Sequence, residues 1–324
     1  MIPIFQRGRD IEQDYFSNLL KMKKLVRIGS RGSQLALAQT GLVVDELQGH
    51  YPQVEFAVQV VKTSGDRPSS GDRPSTSPLP LGEGVFAKEL EEALQAGTVD
   101  LAVHSLKDIP TRLSPGFVLA AVLKRGDARD VLVSRSGQRL RELPPGARIG
   151  TGSPRRKAQV ASIRSDLRVV PIRGNIDTRL RKTYSGDVDG VIMAAAAMHR
   201  LGWEDRVTEH LPLEMFLPAV GQGALVIETL SSCADMVRMV SPLEDEATRH
   251  AMDAERAFLR DLGGGCRAPI AAHATVSEGR LFLKGMFLPS EGASPVFAEG
   301  AGPAAEAEEI GAALAKKILG LVKV

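Results

Sequence analysis

Hydrophobic and polar positions along the chain follow two alternating patterns: short continuous apolar runs, and apolar residues spaced three or four apart. The first pattern is typical of buried strands and the second of amphipathic helices. Both occur in residues 27–39, RIGSRGSQLALAQ, where a short strand and a Gly/Ser turn lead into a helix that Ser33 is placed to cap. Strands that alternate with helices in this way predict parallel sheets in an α/β fold.

The same pattern occurs a second time. Residues 148–160 read RIGTGSPRRKAQV, with Ser153 as the predicted cap and Pro154 at the first helical position, where its missing N–H costs nothing. A later strand also recurs, as VDLAVHS at 99–105 and VDGVIMAA at 188–195, and each run is apolar enough for a strand buried on both faces. The repeat predicts two similar α/β domains.

A length of 324 residues exceeds what one hydrophobic core supports, which favours several domains. The segment LPAVGQGALVIE at 217–228 suits a chain that returns from the second domain to the first. Beyond it, a helix pattern, hairpin-like runs and an Ala-rich terminal helix predict a smaller α+β domain. We therefore expect an extension at 1–24, a first domain at 25–125 and 218–242, a second at 126–217 and a third at 243–324.

Arginines recur at the predicted strand-to-helix junctions. Ligands of such sheets bind beyond the carboxyl ends of the strands, so these junctions should open onto one cleft between the domains. Helix N-termini favour anions there, and the planar guanidinium fork suits carboxylates. A bound polyanion would also offset the repulsion among the arginines. We therefore predict a polyanion site built from Arg31, Arg155, Arg156, Arg173, Arg179 and Arg200.

The amino-acid composition narrows the classes of molecule that could be binding partners. Aromatic residues are only 4% and the formal net charge is only +2, which argues against nucleic acid as the polyanion. No apolar run approaches the roughly 18 residues of a membrane span, and the first stretch lacks the pattern of a secretory signal. We therefore expect a cytoplasmic protein with neither nucleic acid nor membrane as a partner.

The motif HSLKDIP at 104–110 places a carboxylate among these cations. Asp108 could simply pair with Lys107 or cap a turn. In a cation-lined cleft, an ionised carboxylate could instead stabilise a positively charged intermediate. His104 is interpreted as a packed residue at the end of a strand rather than as a catalytic base.

Two cysteines, without CxxC spacing, provide neither a disulfide framework nor a metal site. A free cysteine is usually a small core residue, and we predict that role for Cys233. Cys266 differs, because three glycines precede it and leave room beside the sulfur, while Arg267 favours the thiolate. Cys266 is therefore a candidate for covalent attachment of a bulky group.

The chain resembles the porphobilinogen deaminases, also called hydroxymethylbilane synthases, over nearly its whole length. The resemblance lies in the ordered motifs RIGSRGSQLALAQ, KELEEAL, DLAVHSLKDIPT, GTGSPRRKAQ, IRGNIDTRL, LPAVGQGA and GGGCRAPI. It implies two doubly wound, periplasmic-binding-protein-like α/β domains around a central cleft, plus a small C-terminal α+β domain. It also implies a monomeric transferase of tetrapyrrole biosynthesis, which joins four porphobilinogen molecules head to tail into hydroxymethylbilane and releases ammonia at each step.

The resemblance also implies the site. A dipyrromethane cofactor would be held through a thioether to Cys266, and Asp108 would steady the pyrrole nitrogens and the cationic azafulvene that forms as ammonia leaves. No metal is implied. The matching positions imply that cofactor and substrate are bound by Arg31, Ser33, Lys107, Thr151, Ser153, Arg155, Arg156, Arg173, Arg179, Arg200 and, in the hinge-like return, Gln222.

Two features depart from the family pattern. Residues 1–22 precede its usual beginning, and Glu83 stands in GEGVF where the family usually has a lysine. The doubled SGDRPS in the preceding loop, from Ser64 to Glu83, has almost no apolar surface to bury. We therefore expect that loop to be a lid and Glu83 to lie away from the substrate carboxylates.

Two other functions would share some of these features. A bilobed protein that only binds small anions would need the arginines but neither Cys266 nor Asp108. A cysteine hydrolase would use the thiol but requires a paired base, for which His273 is the nearby candidate.

Overall fold

The computed structural model describes residues 24–62, 87–263, 269–290 and 293–322. Residues 1–22, the loop from Ser64 to Glu83, and Cys266 lie outside this part of the chain. The described residues form two five-stranded sheets and one three-stranded sheet, with helices packed on them.

The strands and helices are numbered in chain order. The strands are β1 (Leu25–Arg31), β2 (Glu55–Val61), β3 (Leu101–Ser105), β4 (Phe117–Val122), β5 (Asp130–Ser134), β6 (Arg148–Gly150), β7 (Arg168–Val170), β8 (Gly190–Ala194), β9 (Glu209–His210), β10 (Leu225–Leu230), β11 (Ile270–Ser277), β12 (Arg280–Phe287) and β13 (Val296–Pro303). The helices are α1 (Gln34–His50), α2 (Lys88–Gln95), α3 (Pro154–Ile163), α4 (Ile176–Tyr184), α5 (Ala195–Arg200), α6 (Ala234–Val240), α7 (Glu246–Asp261) and α8 (Ala307–Val322).

The two larger sheets have orders β2-β1-β3-β10-β4 and β7-β6-β8-β5-β9. In each, the first three strands are parallel, as the alternating pattern predicts. The expectation of wholly parallel sheets is wrong for β10 and β5, which run antiparallel to β3 and β8. These strands arrive from the other domain, and each enters its sheet beside the carboxyl end of its neighbour, where Leu225 pairs with Ser105 and Asp130 with Ala194.

The internal repeat extends to individual contacts. The backbone N–H of Arg27 donates to Asp100 Oδ2 at 2.8 Å, and that of Arg148 donates to Asp189 Oδ2 at the same distance. Each arginine also places its guanidinium on the same carboxylate. Equivalent ion pairs therefore fix the starts of β3 and β8. They lie at the amino ends of the strands, on the side of each sheet that faces away from the cleft.

Both predicted helix caps are confirmed. Ser33 Oγ accepts a hydrogen bond from Ala36 N at 3.3 Å, and Ser153 Oγ accepts one from Arg156 N at 3.4 Å. Pro154 occupies the first turn of α3, as expected. These caps start α1 and α3 at the carboxyl ends of β1 and β6, so two helix N-termini point toward the cleft.

The third domain places α7 and α8 on one face of the sheet β11-β12-β13. Its core continues into the first domain, because Met252 and Phe258 belong to the same buried cluster as Val122 and Val226. This continuity attaches the third domain to the first through apolar burial. Within the described ranges, no helix is both long and apolar enough to cross a membrane.

Candidate functional site

Chain segments from both larger domains meet at the carboxyl ends of the strands. After β3 the chain turns through a short 3₁₀ helix, Leu106–Asp108. Leu106 and Ile109 are buried and anchor this turn, which leaves Lys107 and Asp108 half-buried at the edge of the cleft. Gly221 packs against the turn with φ of +74°, and a Cβ there would lie only 3.1 Å from Lys107 N. The glycine therefore allows the returning chain to pass directly beside the two charged residues.

A cavity of about 240 Å³ lies in this cleft. It is lined from the first domain by the end of β1 and the start of α1, and from the second domain by α3 and the start of α4. Its polar lining includes Arg31, Ser33, Lys107, Asp108, Arg156 and Arg179. Six side chains predicted from four separate motifs are thus brought to one site.

A second cavity, of about 190 Å³, shares Lys107, Asp108 and Arg156 with the first. It adds the predicted residues Ser153, Arg155 and Gln222. Leu259 and Ile270, from the third domain, supply an apolar part of its wall. All three domains therefore border this cavity, and Lys107 and Asp108 lie where the two cavities meet.

The two arginines in the first turn of α3 are already paired with a carboxylate of the protein. Arg155 and Arg156 are buried, with 4% and 7% of their surface exposed. Arg155 Nη1 donates to Asp130 Oδ2 at 2.7 Å, and Arg156 Nη2 donates to Asp130 Oδ1 at 2.6 Å. The chain therefore provides a carboxylate of its own that offsets their repulsion, in addition to the bound polyanion that the sequence predicts.

Asp130 stays ionised in this position. Burial, the largest single effect, raises its pKa, but the charges and hydrogen bonds of Arg155 and Arg156 together outweigh it and hold the pKa well below its usual range. One carboxylate thus pairs with two guanidiniums, and the three groups together keep a net positive charge that faces the cavities. Arg155 Nε is buried and has no hydrogen-bond partner among the described residues, so a donor remains for a ligand.

Gln222 connects the returning chain to this cluster. Its Nε2 donates to the carbonyl oxygen of Ala128 at 2.8 Å and to Asp130 Oδ1 at 3.0 Å. These bonds fix the orientation of the amide, because only Nε2 can donate. Its Oε1 is buried without a partner in the described part of the chain.

Burial, with a smaller effect of neighbouring cations, lowers the pKa of two cations in the cleft. Although the Lys107 side chain keeps some contact with solvent, burial lowers its pKa to about 8, and the charges of Arg156 and Arg155 act in the same direction against the favourable effect of Asp108. Burial also lowers the pKa of Arg179, with Arg156 as a further cause. A bound anion would reverse both shifts, since an opposite charge favours the protonated form.

Of three further predicted binding residues, two make contacts within the protein and one is exposed. Thr151 is buried, and its Oγ1 accepts a hydrogen bond from Ser153 N at 3.1 Å, which shapes the turn before α3. Arg200 Nη2 donates to the carbonyl oxygen of Gly223 at 2.6 Å, and burial lowers its pKa to about 10. Arg173 is exposed on the segment between β7 and α4.

The cysteine and histidine predictions have different outcomes. The core role predicted for Cys233 is wrong: the residue is exposed and precedes α6, where Met236, Met239 and Val240 take the buried positions. His104 is buried at the end of β3, as expected, with Nε2 at 3.0 Å from Glu228 Oε2. Cys266 lies outside the described residues, in the five-residue gap between the third-domain segments that carry Leu259 and Ile270.

A larger, open concavity of about 420 Å³ lies on the sheet of the third domain. Its lining includes His273, Phe282, Lys284 and Glu299, but the Lys284 ammonium is paired with Glu299 at 3.3 Å. This surface therefore offers no cluster of like charge, and the interdomain cleft is the stronger candidate for anion chemistry.

Two family profiles match the chain. One, described as porphobilinogen deaminase, dipyromethane cofactor binding domain, matches residues 26–238, and the other, porphobilinogen deaminase, C-terminal domain, matches residues 250–320. Among solved structures, the periplasmic aliphatic sulphonate binding protein SsuA from Escherichia coli aligns with a TM-score of 0.37 at 13% identity, over 73% of this chain and 70% of that chain. A likeness of that strength carries no argument about function.

Curated relatives agree with the profiles. A porphobilinogen deaminase from Syntrophus aciditrophicus is 46% identical over 294 residues, which is 91% of this chain and 95% of the relative. One from Thermus thermophilus is 44% identical over 297 residues, 91% of this chain and 96% of the relative. Together with a cleft that gathers the cations and the carboxylate of the family motifs, these matches show that the chain belongs to the porphobilinogen deaminase family.

Proposed function

We propose that this protein is a hydroxymethylbilane synthase, which joins four porphobilinogen molecules head to tail and releases ammonia with each. The observation that carries the proposal is the position of Asp108, a carboxylate in the wall between two cavities whose other charged walls are mainly cationic. A protein that only binds anions would gain nothing from a negative charge at that point.

The cations fit the substrate's carboxylates. Each porphobilinogen carries an acetate and a propionate, so every addition brings two negative charges into the cleft. Arg31, Lys107 and Arg179 line the first cavity, and Arg155 adds an unpartnered Nε at the second. Charge-assisted hydrogen bonds from these groups would hold and orient the rings.

Asp108 would act on the substrate's nitrogen and on the charge of the ring. A pyrrole N–H is a donor, and the Asp108 carboxylate would accept it at the point where the two cavities meet. As ammonia leaves, positive charge develops on the pyrrole ring, and a fixed carboxylate beside it stabilises that charge in a partly desolvated site. Lys107, Arg155 and Arg156 hold the carboxylates meanwhile and keep the reacting carbons aligned.

The cleft also fits a dipyrromethane cofactor, and family membership supports its presence. Ser153, Arg155, Arg156 and Arg179 would hold its carboxylates, while Leu259 and Ile270 provide apolar contact for its rings. We propose that Cys266 carries it through a thioether. When bound, the dipyrromethane supplies the pyrrole α-carbon to which the first substrate unit is joined.

The proposal also covers the location and oligomeric state of the protein, its domain boundaries and the complete set of site residues. We propose that the protein works as a cytoplasmic monomer, with no nucleic acid or membrane as a partner, and that the domains divide at 125, 217 and 242. The proposed site consists of Asp108 as the catalytic residue, Cys266 as the attachment point, and a binding set of Arg31, Ser33, Lys107, Thr151, Ser153, Arg155, Arg156, Arg173, Arg179, Arg200 and Gln222.

Turnover of porphobilinogen by the Asp108→Asn variant tests the proposal. Ammonia release and hydroxymethylbilane formation should fall by about 10²- to 10³-fold, as when one preorganised electrostatic contact is removed. Asp187→Asn changes an exposed carboxylate of the second domain and should leave both rates unchanged. If wild-type protein formed no hydroxymethylbilane, the anion-binding alternative would replace this proposal. If Asp108→Asn turned over porphobilinogen as fast as wild type, the catalytic role of Asp108 would be wrong.

A further inference from the structure

Asp130 lies at the point where both connections between the first two domains meet the arginines of α3. It is the first residue of β5, directly after the chain has crossed into the second domain. Gln222, which donates to it, belongs to the segment that crosses back. The crossing segments also contact each other, because Gly126 N donates to the carbonyl oxygen of Gly223.

The Asp130 carboxylate is fully buried and accepts four N–H donors. Arg155 Nη1 donates at 2.7 Å, Arg156 Nε and Nη2 at 3.2 Å and 2.6 Å, and Gln222 Nε2 at 3.0 Å. Such saturation keeps the carboxylate ionised and the guanidiniums fixed in direction. All four donors are groups of the protein itself, so the arrangement requires no ligand.

The charge of the cluster is therefore set within the protein. Two guanidiniums and one carboxylate leave a net charge of +1 where the arginines alone would present +2. A substrate carboxylate that approaches Arg155 or Arg156 must share them with Asp130. Because the interior screens charge weakly, this competition lowers the affinity of the arginine pair for every carboxylate that reaches it.

Weaker binding is useful in a cleft that accepts several substrates in succession. Under the proposed function, each addition brings two more carboxylates to the same arginines, and rings already added must move so that the next one can enter. Binding that holds the bound chain equally tightly at every stage lowers KM but does not raise the rate of that movement. Because the Asp130 carboxylate competes for the same arginines, they release each substrate carboxylate more readily.

We infer that Asp130 is a positioning residue that fixes Arg155 and Arg156 in direction and limits how strongly they hold substrate carboxylates, so that the growing chain can advance after each addition. This inference rests on the proposed function. It assigns a role to a residue that the sequence motifs did not single out.

The test compares Asp130→Asn with Asp189→Asn. Asp189 also pairs with an arginine, Arg148, in the same sheet, but at the edge away from the cleft. For Asp130→Asn we expect KM for porphobilinogen to fall roughly tenfold, the order expected for one unit charge at about 10 Å in an effective dielectric near 20. kcat should fall as well, and intact mass should show enzyme that retains more rings than wild type during turnover. Asp189→Asn should change neither the KM nor the distribution of bound intermediates.

A buried substitution can prevent folding, and a second pair of variants covers that outcome. Arg156→Gln reduces the cluster to one arginine and Asp130, with no net charge, whereas Arg156→Gln combined with Asp130→Asn restores +1 without an unpaired buried carboxylate. The double variant should therefore have a lower KM and a longer retention of intermediates than Arg156→Gln alone.

Changes in KM or in the retention of intermediates that run opposite to these predictions would overturn the inference. If removal of the Asp130 charge raised KM or left the bound intermediates unchanged in whichever pair folds, Asp130 would not limit how strongly the two arginines hold substrate carboxylates. If wild-type protein formed no hydroxymethylbilane at all, the proposed function would fail, whatever the variants did.

Discussion

Arg125 and Glu255 form a buried ion pair, Nη1 to Oε1 at 2.7 Å, that joins the segment leaving the first domain to α7 of the third domain. The Glu255 carboxylate is fully buried and also accepts hydrogen bonds from Gly221 N and Ala274 N. Both crossing segments are thus tied to the third domain at one carboxylate. The cleft and the domain that carries Cys266 are mechanically connected at this point.

The Glu255→Gln variant should lose about 3–5 kcal/mol of stability, because it leaves the Arg125 guanidinium buried without a counter-ion. The urea midpoint of the first unfolding transition measures this loss. Glu308→Gln provides the control, since Glu308 pairs with Arg260 at 3.2 Å while largely exposed, and pairs of that kind contribute at most about 1 kcal/mol. Equal effects of the two substitutions would show that the buried pair does not hold the junction.

Substrate affinity should depend on the protonation of Lys107. Because its pKa is about 8, the ammonium loses its proton as pH rises through that value, and the cleft then loses one cation for substrate carboxylates. KM for porphobilinogen should therefore rise between about pH 7 and about pH 9. A lysine with the ordinary pKa of about 10.4 would stay protonated over this range and cause no such rise. Lys107→Arg keeps its charge throughout and should show a smaller rise, which separates this effect from titration of the substrate's own amine. Identical pH profiles for the two proteins would remove Lys107 from the binding set.

Arg179 and Arg181 lie two residues apart on α4 and provide a matched comparison. Arg179 lines the cleft, whereas Arg181 is exposed. A hydrogen bond to a charged group contributes about 1.5–3 kcal/mol, so Arg179→Gln should raise KM by about 10- to 100-fold. Arg181→Gln should change KM little at moderate ionic strength. If both substitutions raised KM equally, the effect would come from the general field of α4 and not from a direct contact.

Local features of the sequence predicted local structure well. Ser33, Ser153 and Pro154 act at helix starts through contacts within three residues, which a linear pattern can reveal. Asp130 could not be found in this way, because its partners lie 25, 26 and 92 residues away and become neighbours only through the two crossings. An acidic residue at the start of the apolar run DVLVS was the one available signal, since a carboxylate buried there requires cationic partners.

Strand direction and side-chain exposure were predicted less well for the same reason. The apolar runs of β5 and β10 show that these strands are buried, but direction depends on the side from which the chain enters the sheet. Cys233 precedes a helix whose buried face begins three residues later, so its exposure follows from the rotation of α6 and not from the hydrophobicity of the thiol.

Cys266→Ser should abolish covalent loading and nearly all porphobilinogen turnover while the fold survives, because the thiol is proposed only as the attachment point. Cys233→Ser is the matched control, since Cys233 is an exposed free thiol that lines neither cavity of the cleft. Circular dichroism and urea unfolding would verify that both variants are folded. Full activity in Cys266→Ser would contradict the attachment site.

The intact mass of the wild-type protein as purified tests the central claim most directly. We predict a mass above that of the polypeptide by one dipyrromethane, with the added mass on the peptide that contains Cys266, and its loss in Cys266→Ser but not in Cys233→Ser. A protein that has the unmodified polypeptide mass while forming hydroxymethylbilane, or that carries the added mass on Cys233, would contradict the account.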